Sequence, residues 1–166
     1  MDPMSPIRLL ASRLRDAAEP AEARKAAAAL AAVAWAAEQA HQLAAQIRAV
    51  GRTAPDPGAV RKLADQLAHR AEGVARLVWE GDAALRVSPV DYLAGLLPGP
   101  ARENAAVVAG ALGRLGQAAA LTLDIAAELR ELGQNGVLAQ RAVAEDVADR
   151  VAAAADALGA TWAEPA

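Results

Sequence analysis

The chain predicts an all-α fold, an antiparallel bundle of four long helices with two short ones, on three observations. Alanine supplies 49 of the 166 residues, and it has the highest helix propensity of any residue. Apolar residues recur at three- and four-residue steps through four long segments, and no stretch alternates as a half-buried strand would. A capping side chain followed by proline, the start signal of a helix, occurs at Ser5-Pro6, Asp56-Pro57 and Ser88-Pro89. The length fits a single domain, residues 1–166.

Taken in order, a short helix is expected over residues 6–18, with Ile7, Leu10 and Leu14 on one face, ended by Glu19-Pro20. The first long helix is expected over 21–50, stopping at Gly51. Its stripe is Leu30, Val33, Ala37, Ala40, Ala44 and Ile47, and Glu38, Gln39, Gln42 and Gln46 take the opposite face. A Pro- and Gly-rich turn over 52–58 separates it from a second long helix, 58–86, with the stripe Val60, Leu63, Leu67, Ala71, Val74 and Val78. A second short helix is expected over 89–97, ended by Pro98-Gly99-Pro100. The third long helix, 101–132, carries Val108, Ala111, Leu112, Leu115, Ala118, Ile125 and Leu129, and is closed by Gly133-Gln134-Asn135-Gly136. The last, 137–159, carries Val137, Ala144, Val147, Val151, Ala154 and Leu158. Gln140 is its one polar exception and Gly159 its C-cap. Short turns between long helices imply antiparallel neighbours. The two short helices are expected to cover bundle ends or an exposed seam.

Composition excludes several chemistries. There is no Cys, so there is no disulfide, thiolate ligand or thiol nucleophile. Two His and six Ser or Thr leave little material for a Ser/His/Asp arrangement or a histidine-rich metal site. The net charge of -3 argues against a nucleic-acid footprint. Arg61, Lys62, Arg70 and Arg76 share one helix, but Asp65, Glu72 and Glu80 are interspersed among them. The most apolar run, Ala26 to Ala37, is 12 residues long, short of a membrane span, and the N-terminus lacks a signal-peptide pattern. The expected location is cytoplasmic, or exported without a cleavable signal.

Glu38-Gln39-Ala40-His41 is a Glu-x-x-His pair, but the second pair of a di-iron bundle is missing, and His69 lies roughly 160° from its helix's apolar stripe. Both histidines therefore read as surface or boundary residues. Asp124, Glu128 and Glu131 share the face opposite their stripe, which is a solvated outer face rather than a desolvated acid/base cleft. Gly110, Gly113 and Gly116 lie three apart inside a helix, which is not a phosphate-binding loop. No catalytic residue, metal site or cofactor is expected.

The aromatic residues carry the functional signal. Trp35 projects among the glutamines and Glu38, far from its helix's apolar stripe. It is either covered by the first short helix or forms part of a partner surface. Trp162 falls in the C-terminal tail. The stretch Leu77-Val78-Trp79-Glu80-Gly81-Asp82-Ala83-Ala84 places a Trp-x-Gly after an amphipathic helix. Glycine permits a tight reversal there, and the indole can pack across a hairpin end.

Over residues of about 58–132 this pattern resembles the WXG family of type VII secretion proteins. The resemblance implies a two-helix hairpin turning at Trp79 and Gly81, which pairs with another hairpin in a four-helix bundle. The chain departs from that pattern in three ways. Residues 87–100 are inserted after the Trp-x-Gly, the helix 21–50 precedes the hairpin, and the family's C-terminal Tyr-x-x-x-Asp/Glu signal is missing.

The expected function is that of a non-enzymatic helical interaction protein, a WXG-like secretion substrate or partner that pairs helix faces with a protein partner or with itself. Trp35, Trp79 and Gly81 are its candidate partner-binding residues. The alternatives are a bundle that binds a small apolar ligand or a lipid or polymer surface, and, less favoured, a metal-dependent bundle enzyme.

Overall fold

The computed structural model describes residues 4–97 and 102–159. The turn over 98–100 and Trp162 lie outside the described residues. Six helices and no strand occur among the described residues: α1 (Pro6–Asp16), α2 (Pro20–Thr53), α3 (Pro57–Glu80), α4 (Pro89–Ala94), α5 (Arg102–Gln134) and α6 (Arg141–Leu158). The all-α bundle expected from the sequence is the fold observed.

The start signals act as expected. Ser5 Oγ accepts from the Arg8 amide at 3.3 Å, Asp56 Oδ1 from the Ala59 amide at 3.0 Å, and Ser88 Oγ from the Asp91 amide at 3.1 Å. Each cap satisfies a first-turn donor that has no partner within its own helix.

The stop signals differ from expectation at two glycines. Gly51 does not end α2, which continues to Thr53 and closes with Ala54 in the left-handed region at φ 44°. Gly133 likewise lies inside α5, which continues to Gln134. Both glycines are packing residues. A Cβ at Gly51 would stand 2.6 Å from the Ala144 Cβ, and one at Gly133 would collide with the Ala64 Cβ.

Three other boundaries move. α3 ends at Glu80 rather than near residue 86, because Gly81 leaves the helix at φ 82° and Asp82 then caps a turn through the Ala84 amide. α4 ends at Ala94. The last helix is broken: Gly136 is left-handed, a single 3-10 turn spans Val137–Ala139, and Gln140 is extended before α6 begins. The polar exception in the last stripe is therefore the residue that flanks the helix start.

The four long helices form an antiparallel ring in the order α2, α3, α5, α6. α3 packs most extensively on α5, and α2 on α6, while the α2–α3 and α5–α6 seams are slighter. The core combines Leu43, Ile47, Leu115, Ile125 and Leu129 with runs of buried alanine. Both short helices close the same end. α1 lies over α2, α5 and α6, and α4 inserts the fully buried Leu93 between α2, α3 and α5. At the opposite end Leu138 is buried among the four long helices.

By length and composition alone, Ala105–Gln134 in α5 is apolar enough to cross a membrane. Arg114 interrupts this segment, so no uncharged run within it reaches the length of Ala26 to Ala37. In the fold α5 is a bundle member that buries Val108, Leu115, Ile125 and Leu129.

Candidate functional site

The site begins with the two flanks of α2. Toward α6, small residues bring the backbones together and arginine locks the seam: Arg48 donates to Glu145 Oε2 at 3.2 Å and to Asp149 Oδ1 at 2.7 Å. These bonds, that to Asp149 foremost, raise the Arg48 pKa above its ordinary value. Toward α3 nothing comparable closes the seam, and a groove runs along it.

One half of the groove is walled by Gln46, Ala49, Val50 and Thr53 of α2 and by Leu63, Gln66, Leu67 and Arg70 of α3. The other half is walled by Trp35 and Gln39, by Arg70, Gly73, Val74, Arg76 and Leu77, and by Gly81 and Ala83. Arg70 lines both halves and stands where they meet. From Trp35 to Thr53 the groove follows α2 for about 27 Å at the helical rise of 1.5 Å per residue. Its floor is apolar and its rims are polar. No Asp or Glu lines either half.

Two arginines on other seams are paired with acids. Arg130 grips Glu72 through both guanidinium nitrogens, at 2.8 and 3.2 Å, and reaches Asp65 at 3.4 Å. Arg150 grips Glu128 through two bonds of 2.7 Å. These bonds hold the Glu72 and Glu128 carboxyls below the usual carboxylate range. Arg70 and Arg76, by contrast, make no ion pair among the described residues; Arg76 acts on Glu72 only through space. Asp65 and Glu72 turn toward α5, while Arg70 and Arg76 line the groove. Gln46 Oε1 is buried and has no donor among the described residues.

Trp35 is 48% exposed. The first short helix does not cover it, because α1 packs on α2, α5 and α6 and makes no contact with α3. Trp79 is also half exposed, at 47%, but lies outside the groove. It follows Asp65 and Glu72 at seven-residue steps, which puts it on the α5-facing flank of α3. The structure therefore brings Trp35 and Gly81 to one groove and leaves Trp79 apart.

Gly81 has a local reason to be glycine. The Val87 carbonyl occupies the place a Cβ would take, and Ser88 Oγ donates to the Trp79 carbonyl at 2.6 Å, folding the loop back on the end of α3.

Gly73, Gly110, Gly113 and Gly116 are helix-interior glycines with nothing within 4 Å of an added Cβ. Each weakens its helix by roughly 0.5–1 kcal/mol relative to alanine with no packing return inside the chain.

The other polar candidates are dispersed. His69 is exposed beside Glu72, and His41 Nε2 stands 4.0 Å from Asp156 Oδ1. No group of three His, Asp or Glu side chains converges as a metal set among the described residues. Asp124 and Glu131 face solvent, and Glu128 reaches across to Arg150 while its side chain stays 36% exposed.

Arg70 and Arg76 are the groove residues that sequence reasoning missed as a site. Their helical positions were available, but the pairing of Asp65 and Glu72 with a distant arginine was not. Against known proteins, no family model, curated protein or solved structure matches the chain.

Proposed function

We propose that this is a non-enzymatic helical interaction protein that receives a protein helix in the α2–α3 groove, with Trp35 as its aromatic anchor. The observation that carries this reading is what gathers along one seam: a half-exposed indole, the exposed Arg70 and Arg76, and an apolar floor, with no Asp or Glu among the described lining residues. Two antiparallel helices present a groove into which the side-chain ridge of a third helix fits. Large aromatic and arginine side chains are favoured as anchors of such contacts. The residues available at the groove offer no acid/base pair with which to do chemistry.

A WXG-like role in type VII secretion, as substrate or partner, remains part of this proposal. Two features support it: α3 and α5 form an antiparallel pair, and Gly81 stands at the turn out of α3. Trp79 belongs to that reading as an anchor at the hairpin end, separate from the groove.

The test is to purify the tagged chain from its source at low ionic strength, where the arginine contacts of the groove persist along with its apolar ones. A stoichiometric helical partner, or the chain's own oligomer, is expected with the wild type and is lost with Trp35→Ala at unchanged helicity. A complex that survives Trp35→Ala and Arg70→Glu, or a wild type that is monomeric and partner-free, overturns the reading.

A further inference from the structure

We propose that the occupant of the α2–α3 groove is a second copy of this chain, which docks the outer face of its own α5; this rests on the groove being an interaction surface. That face is the charge complement of the groove. From Ala106 through Ala109, Gly113, Gln117 and Ala120 it is exposed and uncharged, small but for Gln117, and it then presents Leu123, 46% exposed, beside Asp124. Glu131 continues the same line two turns on. Asp124 and Glu131 make no ion pair among the described residues, just as Arg70 and Arg76 make none. The acids on the outer face of α6, Glu145, Asp146 and Asp149, already face Arg48 or Arg150.

The spacing matches as well. Asp124 and Glu131 are separated by about 10.5 Å of helix and Arg70 and Arg76 by about 9 Å, within the reach of a guanidinium. Like signs stand apart within each copy and opposite signs meet between copies.

The glycines supply an independent argument. Gly73 in the groove and Gly113 and Gly116 along α5 have open space where a side chain would sit, so nothing inside the monomer requires them. A helix laid into the groove would require small residues on both sides, and both sides have them. Leu123 would enter the apolar floor near Val74 and Leu77, and the unpaired acceptor of Gln46 lies further along the same path. The two surfaces differ, so the contact is heterologous and builds a chain of copies or a ring.

Sedimentation velocity on the full chain tests this. At low ionic strength the weight-average mass is expected to rise above the monomer with concentration, and to fall back as salt screens the arginine contacts. R70E/R76E, with the groove altered, and A120R, with a bulky cation on the α5 face, are each expected to weaken association by roughly tenfold or more. Mixed together, they retain one intact groove and one intact face between them and should form a 1:1 complex that grows no further. G113R is a second block of the same face, and circular dichroism checks that every variant keeps its helicity.

A wild type that is monomeric at every concentration overturns the proposal. So does association that either variant leaves unchanged, or a mixture that stays monomeric. A monomeric wild type that still holds a stoichiometric foreign helix through Trp35 overturns self-docking alone and leaves the groove reading standing. A chain that neither self-associates nor binds anything through Trp35 overturns both.

Discussion

The two flanks of α2 solve the same packing problem in opposite ways. Against α6, Gly51 admits Ala144 and Arg48 is held by Glu145 and Asp149, so both backbone and charge are satisfied within the chain. Against α3 the same helix offers Trp35, Gln39 and Gln46, and the facing helix lines the groove with Arg70 and Arg76. The closed flank contributes to stability through close approach. The open flank contributes less and keeps its apolar floor, its cations and its indole available. Glycine marks both flanks but means different things on each. Gly51 is filled by a neighbour, and Gly73, on the facing wall of the groove, is not.

The largest effect is expected from breaking the closed flank. Gly51→Leu forces a side chain into the Ala144 and Arg141 backbone and should cost about 1–3 kcal/mol. That lowers the thermal midpoint by several degrees, since 1 kcal/mol shifts a domain of this size by about 2–4 °C. An unchanged midpoint would mean that the α2–α6 approach is looser than described. The mirror experiment sharpens the contrast. Gly73→Ala meets no neighbour and should raise stability by about 0.5–1 kcal/mol, read in a urea titration. If Gly73→Ala destabilised instead, the open flank would be closed in solution.

The arginine pairs on the closed seams should produce a smaller, pH-dependent effect. Arg150 and Arg130 depress the folded pKa values of Glu128 and Glu72. Their contribution is therefore complete above the ordinary glutamate value of about 4.3 and is lost as pH falls through the lower folded values. Glu128→Gln should lower stability by about 0.2–1 kcal/mol at pH 7, as for a partly exposed pair, and should match the wild type once both carboxyls are protonated. Thermal melts from neutral to acid pH decide it, and a gap that persists in acid would exclude the ion pair as its source. The smallest stability effect belongs to the open flank. Trp35→Ala should change unfolding by no more than about 0.5 kcal/mol while abolishing association. A large loss of stability would show the indole to be a core element instead.

The periodic stripes were legible because helix burial follows a local rule. Val33, Ala37, Ala40 and Ile47, and Val147, Val151 and Leu158, are buried as their spacing requires. The starts were legible for the same reason, since a capping side chain acts within its own first turn. The false stops at Gly51 and Gly133 show where local rules fail. A glycine that ends a helix and a glycine that admits a neighbouring helix look the same in one dimension. The end of α3 was missed for the converse reason: residues 82–86 continue an acceptable helical composition, but Gly81 and the Val87 carbonyl turn the chain away. Trp35 was legible as a misplaced aromatic. The basic lining of its groove was not, because which arginines stay unpaired depends on Arg130, more than fifty residues further along the chain.

The two tight glycine contacts between long helices, Gly51 on Ala144 and Gly133 on Ala64, lie toward the end of the bundle closed by Leu138, as do Arg48 and Arg130 with their acids. The opposite end is held by two short helices, α1 and α4, laid across it. The bundle is thus built like a pair of tweezers. Amide exchange should be slowest where Gly51 and Gly133 clamp the long helices and should quicken toward Trp35. On that expectation, whatever enters the groove meets a stiffer wall beside Leu63 than beside Trp35.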